Sequence, residues 1–245
     1  MAGSASGPQV VRMRRVGRMA FLFAGFALLG THSPMAQTAA SPAGRFVVVL
    51  DPAHGGTDLG ATVTDGAGKP HAEKNLALAF SVKLRSLVAA RAMAVATTRE
   101  SDTTIEAQQR AAIANHARAQ ACLTLHASMS GSGIHLFISS LPPARPTQFE
   151  PWQTAQAAWV QRSVRLAGVL NSALLHAGMK VTLSRTALTT VDSMACPAVA
   201  VEIAPEAPTP AISAARSVDD PAYLAQVADA LAAGLLEWRA EAGQP

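Results

Sequence analysis

Apolar positions along the chain fall into two patterns, short runs of strand length and longer stripes at helical spacing. Arg45 to Asp51, Met93 to Thr98, Ala121 to His126, Gly133 to Ser140 and Ala198 to Ile203 are runs of the first kind, and Val181 to Ser184 offers a weaker one. Between them, Leu76, Phe80, Leu84 and Leu87 mark one face of a helix over Glu73 to Arg91. Trp159, Leu166, Leu170 and Leu174 do the same for Trp152 to Ala177, which Gly178 closes. Leu224, Val227, Leu231 and Leu235 follow Asp220-Pro221, where proline suits a first helical turn. A further helix is expected from about Thr104 to Ala117, capped by Ser101 or Asp102. Strands separated by helices predict an α/β fold: a single domain with a mainly parallel, twisted sheet covered by helices on both faces.

Punctuation between these elements singles out one connection. The first run ends at Asp51-Pro52, and Gly55-Gly56 follow with backbone freedom other residues lack, so the chain leaves the sheet there and exposes His54. The Gly-, Thr- and Asp-rich loop that continues to Ala72 is long for a connection, which marks it as functional. The Pro-rich segment Leu141 to Pro151 reads as a surface loop.

The first 36 residues are of another kind. Arg12, Arg14, Arg15 and Arg18 precede an apolar run from Met19 to Gly30, and Pro34-Met35-Ala36 offers a cleavage point, which is the layout of a secretory signal peptide. The run is too short to span a bilayer, so no stable membrane insertion is expected after cleavage, and Arg14-Arg15 leaves the export route, general or twin-arginine, open. Residues 37–44 then form a linker, 45–240 the folded domain and 241–245 a tail.

The leader also changes the charge reading. The whole chain carries a formal +4, but four of its 20 basic side chains and none of its 16 acidic ones lie in the leader. The remainder is neutral, with few aromatic residues, and offers no case for a nucleic-acid partner. Two cysteines, Cys122 and Cys196, would meet an oxidising compartment; a bridge is open to them, although two separate buried thiols is the favoured reading.

Candidate chemistry collects at the strand ends. His54 follows the first strand, His126 ends a central one, Glu202 ends the last, and Glu73 stands in the first turn of the helix after the long loop. Carboxyl ends of strands gather along one edge of an open α/β sheet. Two imidazoles and a carboxylate form a three-ligand zinc set with a fourth position left for water, and Glu202 would supply a base. Each residue also has a bland reading: His54 as a turn residue, Glu73 at a helix's positive end, His126 as a core histidine, Glu202 as an ion-pair partner. His71 competes as a ligand, and His135 faces either the groove or solvent. Arg99, Asp102, Arg110 and Asn115 are expected to fix loops and helix ends, and His116 and His176 to lie on helix surfaces.

At VVLDPAHGG (48–56), AEKNLAL (72–78), TTRESD (97–102), RAAIAN (110–115), TLHAS (124–128), GIHLF (133–137) and PAVAVEIAPE (197–206) the chain resembles the zinc-dependent N-acetylmuramoyl-L-alanine amidases of the amidase 3 family. The resemblance spans about Val47 to Trp238. It implies zinc on His54, Glu73 and His126, Glu202 as the catalytic glutamate, and hydrolysis of the amide between N-acetylmuramic acid and L-alanine of peptidoglycan, in the periplasm or cell envelope. An exported wall-binding module without turnover is the alternative. Ala53, Ser128, His135 and Ile203 to Glu206 depart from the family pattern; they spare the ligands and bear on substrate fit. The interval Ala127 to Ser132 leaves no room for the blocking helix some relatives carry there, so activity without an activator is expected.

Overall fold

Strand order, more than strand content, decides where the chemistry lies. The computed structural model describes residues 45–145, 151–208 and 214–242, all within a unit spanning Pro42–Pro245; the expected leader, linker and the end of the tail fall outside the described residues. In chain order the elements are β1 (Val47–Pro52), β2 (Thr62–Thr64), β3 (Pro70–Ala72), α1 (Glu73–Ala90), β4 (Ala94–Thr97), α2 (Ala107–His116), β5 (Ala121–Ala127) and β6 (Ile134–Ser139). A short 3-10 helix (Trp152–Ala158), α3 (Val160–His176), β7 (Val181–Thr186), α4 (Thr189–Asp192), β8 (Ala198–Ile203) and α5 (Pro221–Ala242) complete them.

Six strands form one sheet in the order β4-β1-β5-β8-β6-β7. The first four in that order are parallel, and β6 and β7 are parallel to each other, but β6 runs antiparallel to β8. The reversal has a simple cause. Residues 128–133 join β5 to β6 without a helix, and a parallel crossover needs about a dozen residues or more. Because β6 is reversed, its second residue, His135, sits beside the carboxyl ends of β5 and β8, in register with Glu202.

The period-2 alternation of the strands sorts two cores. Val48, Leu50, Leu123, Leu125, Val199, Val201 and Leu136 face one way, against Phe80 and Leu84 of α1, Leu166 and Leu170 of α3, and Leu231 and Leu235 of α5. Val49, Cys122, Ala198 and Ala200 face the other way and meet Ala111 and Ala114 of α2, with Val191, Met194 and Cys196. The alternation that buries Cys122 on this second face carries Thr124 and His126 onto it as well.

Four expectations are revised. Cys122 and Cys196 are joined in a disulfide, their Cα atoms 6.3 Å apart, so the separate-thiol reading is wrong; the two residues lie in the same small core on one face, a proximity that only the fold brings about. The loop from Ala53 to Ala72 holds a hairpin of β2 and β3, closed by Asp65 Oδ1 accepting from the backbone of Ala67 and Lys69. Helix α2 starts later than expected, capped by a reciprocal Glu106–Gln109 box, while Asp102 bonds elsewhere. The expected helix from Trp152 breaks before Val160, because Gln156 turns inward to donate to the carbonyls of Met194 and Cys196.

Candidate metal centre

His54 stands at the turn out of β1, with φ 59°, a left-handed conformation that side chains other than glycine rarely take. Two buried arginines hold that turn. Arg99 donates to the carbonyls of Pro52, Ala53 and Lys74, and Arg110 donates to the carbonyls of Pro52 and His54 and to Asp51 Oδ1 at 2.7 Å. Asp102, once expected as a cap, accepts from the Gly56 amide and from Lys74 Nζ, which also donates to the Gly56 carbonyl. Loop-fixing roles expected of Arg99, Asp102, Arg110 and Asn115 are thus visible as specific bonds; Asn115 ties α2 to Ser193 and Ala195.

Three ligand atoms converge above the sheet edge. Glu73 Oε2 lies 3.1 Å from His54 Nε2, and Glu73 Oε1 lies 2.8 Å from His126 Nδ1. One ligand atom from each of the three residues falls within 4.8 Å of the others, and the imidazole rings stand 5.4 Å apart, edge to face. Tetrahedral zinc with bonds of about 2.1 Å spaces its nitrogen and oxygen ligands by about 3.4 Å, so the donor set fits such an ion in type and spacing. His54 Nδ1 is taken up by Asp58 Oδ2 at 2.8 Å, which leaves Nε2 turned to the centre, the outer-shell arrangement common to ligating histidines. Sequence reasoning passed over Asp58; its position four residues after a histidine in a glycine turn was the available signal. Gly60 is also required here, since a Cβ on it would lie 2.6 Å from the His54 ring and 2.8 Å from Glu73 Oε2.

Glu73 is buried, which works against its charge, yet hydrogen bonds from His126, His54 and the Ala61 amide hold its carboxyl far below the ordinary carboxylate range. His54 is shifted upward, chiefly by its bond to Glu73. For Asp58, partial burial raises the pKa but is outweighed by bonds from His54 and the Gly60 amide, and the net shift is downward.

Glu202 extends the centre along the sheet. It is the register partner of His126 on one side and His135 on the other, so the three side chains stand in a row on the same face. Burial raises its pKa above the usual carboxylate value, and the two histidines pull the other way. Among the described residues no hydrogen bond or ion pair engages its carboxylate. His135 shares that face of the sheet, with Nδ1 bonded to Thr182 Oγ1 at 2.6 Å. His71 is placed elsewhere, paired with Asp65 at 2.7 Å inside the β2–β3 hairpin.

The family described as N-acetylmuramoyl-L-alanine amidase matches residues 48–237. The N-acetylmuramoyl-L-alanine amidase AmiA of Escherichia coli (strain K12) is 37% identical over 84 residues, 34% of this chain; the matched stretch spans 28% of that relative's length. The catalytic domain of CwlV, an N-acetylmuramoyl-L-alanine amidase from Bacillus (Paenibacillus) polymyxa var. colistinus, superposes with a TM-score of 0.60 at 22% identity, over 80% of this chain and 98% of that one. Ami1 of Mycobacterium smegmatis, an N-acetylmuramyl-L-alanine amidase, gives 0.60 at 21% identity, over 80% and 97%. These two structures share the fold.

Proposed function

The chain belongs to the N-acetylmuramoyl-L-alanine amidase family, and from that premise we propose that it is an exported, zinc-dependent hydrolase of the amide joining N-acetylmuramic acid to the L-alanine of the peptidoglycan stem peptide. The observation that carries this reading is the convergence of His54, Glu73 and His126 within 4.8 Å beside an unengaged Glu202. Zinc held there supplies Lewis acidity, lowering the pKa of a bound water to about 7 and polarising an amide carbonyl. Glu73 is kept ionised as a ligand, and Asp58 fixes the ring of His54.

Glu202 takes the proton of the attacking water and returns it to the amide nitrogen as the C–N bond breaks. A partly buried carboxyl with a raised pKa suits that task, because it binds the proton more firmly than an exposed one. The disulfide supports an oxidising location such as the periplasm or cell envelope. No helix among the described residues is long and apolar enough to cross a membrane. Residues 128–133 hold no helix, which supports a groove that needs no activator to open it.

Glu202→Gln is the direct test. The variant is expected to bind zinc as the wild type does and to release peptide from purified sacculi at least about 100-fold more slowly, the usual weight of a positioned acid–base group. Mass spectrometry of the digested muropeptides identifies the bond. Undiminished release by the variant would remove Glu202 from the mechanism, and a wild-type protein that sediments with sacculi and cleaves nothing would be a binding module.

A further inference from the structure

The sheet ends differently on its two sides. At β4 the edge is four residues long and partly buried, and a charged pair, Arg85 with Glu100, stands at its end, where Glu100 also accepts from Thr97. At β7 the edge is six residues long, and Thr182 to Thr186 are all exposed. Natural sheets guard an open edge with proline, lysine, a bulge or a covering segment. Val181 to Thr186 contains no proline or lysine, and its ladder with β6 runs without a bulge. Its one charge, Arg185, is folded back, donating to the carbonyls of Ser139 and Leu141.

Ladder geometry identifies the free groups. The carbonyls of Lys180 and Thr186 accept from the amides of Ile134 and Ser140, so the even-numbered residues of β7 turn their main chain to β6. Successive residues of a strand point their amide and carbonyl to opposite sides. Val181, Leu183 and Arg185 are thus left with outward N–H and C=O groups that find no partner among the described residues.

The surface over this edge is apolar. Leu183 is the register partner of Leu136, so its side chain lies on the face covered by α3, and it is 44% exposed. Helix α3 is the outermost of that layer, packed on β6 and β7 with α5 on its inner side. There Leu170 and Ala173 meet Gly234 of α5, and Arg162 and Arg165 reach Trp238 and Glu241 of the same helix. The opposite flank, towards β7, carries Val164, Gly168, Asn171 and Leu175 at helical spacing and no charge. Val164 is 42% exposed and Leu175 52%, and a Cβ on Gly168 would meet nothing within 4 Å. Three of the eight large apolar side chains exposed among the described residues therefore line one edge. Clustering of that kind, unlike scattered exposure, marks an interaction surface.

A row of outward main-chain groups requires a β-strand as its occupant, and the side chains here fit a copy of the same strand. The outward residues are symmetric about Leu183. An antiparallel copy sets Leu183 opposite Leu183 and Val181 opposite Arg185, so about six main-chain bonds form and no like charges meet. The flanks of the two α3 helices then face each other over the paired leucines, with no charge to bury. We propose that the β7 edge and the overlying flank of α3 are the contact surface for a second copy of this chain, the two β7 strands pairing antiparallel about Leu183 so that both sheets run on as one. A two-fold axis normal to the sheet keeps each helical layer on its own side, so both metal centres lie on the same face of the joined sheet. One strand and a few apolar side chains make a contact below the roughly 1,200 Å² of standard interfaces, so a dimer that dissociates in the micromolar range is expected.

Sedimentation velocity of the zinc-loaded protein across that range is expected to show a reversible dimer. Leu183→Pro removes an outward N–H while keeping the bonds to β6, and Leu175→Glu charges the flank; each is expected to weaken the dimer at least about tenfold. Leu183→Cys is expected to give a covalent dimer on mild oxidation, because facing residues of a hydrogen-bonded antiparallel pair have Cα atoms about 5.5 Å apart, within reach of a disulfide. Thr186→Cys, which has no counterpart at that distance, is expected to stay uncrosslinked. Hydrogen exchange at the amides of Val181, Leu183 and Arg185 should slow only above the dissociation constant. A protein that stays monomeric, a dimer that both variants leave intact, or cross-linking as efficient through position 186 as through 183 overturns the proposal. Protection of these amides at every dilution also overturns it, since a segment of the same chain would then cover the edge. None of these readouts depends on turnover, so loss of the amidase reading leaves the pairing to be decided on its own.

Discussion

The two faces of the sheet are built on different principles. On one, α1, α3 and α5 lay long apolar stripes over leucine and valine side chains, and bonds such as those of Tyr223 to the Ala204 carbonyl and Trp238 to the Gln120 carbonyl add to the close packing. Over the other lie, among the described residues, the ten residues of α2, the short 3-10 helix, the four of α4 and irregular chain, above small residues such as Ala198 and Ala200. That thin cover is held by discrete ties: the Cys122–Cys196 bridge, the inward Gln156, the two bonds of Asn115 and the buried arginines. His126, Glu202 and His135 all lie on this second face. A thickly covered face supplies stability, whereas a sparsely covered one leaves side chains such as His126 and Glu202 partly open and must be tied down.

Removing bulk from the thick face should have the largest effect on stability. Leu170 of α3 is fully buried, and α5 comes so close at Gly234 that a Cβ there would lie 3.1 Å from the leucine's Cδ2. Leu170→Ala leaves a cavity that two packed helices cannot close, and a loss of about 3–5 kcal/mol is expected. Denaturant unfolding measures it. Zinc affinity per folded molecule should stay unchanged, because no ligand rests on α3.

How much of this was legible before folding follows the same division. The thick face was readable because its signal is periodic: Phe80, Leu84, Leu166, Leu170 and Leu231 repeat at helical spacing and are buried in the structure. His54, Glu73, His126 and Glu202 were nameable because strand ends and a helix start are local features, and the resemblance to a family picked the same four. The thin face was largely illegible. Bonding of Cys122 to Cys196 depends on strand pairing across 74 residues, and the inward turn of Gln156 on carbonyls from another segment. The reversal of β6 was implicit in the short interval after His126, since a chain given no crossover must turn back. Asp51 and Thr124 become neighbours only once β1 and β5 are in register.

Cutting the bridge is expected to come next in size. Cys122→Ala with Cys196→Ala frees a loop closed over 74 residues and should cost about 2–4 kcal/mol. The variant pair sharpens the comparison through a second readout. If ties on the thin face keep the proposed site in shape, release of peptide from sacculi should fall even where the variant stays folded, since α4 lies next to the freed segment. Unchanged release by the folded variant would mean that the bridge supports only global stability.

Asn115 should show the smallest effect and discriminate best. Its Nδ2 donates to the Ser193 carbonyl at 3.1 Å and its Oδ1 accepts from the Ala195 amide at 2.6 Å, so a single side chain staples α2 to the segment that leads into Cys196. Asn115→Ala removes two bonds near the surface, where water can replace them, and about 1–2 kcal/mol is expected, a shift of a few degrees in Tm. The bridge and Asn115 restrain the same five residues, 193–197, so their losses should not add. With the bridge intact, the segment stays near its place and the asparagine's absence is partly masked; with it cut, the same substitution should cost more. A double-mutant cycle over the cysteine pair and Asn115 is expected to give a coupling of at least about 0.5 kcal/mol. Additivity would mean that the thin face is held by independent points, each securing its own few residues, and that no shared restraint spans the cover of the groove.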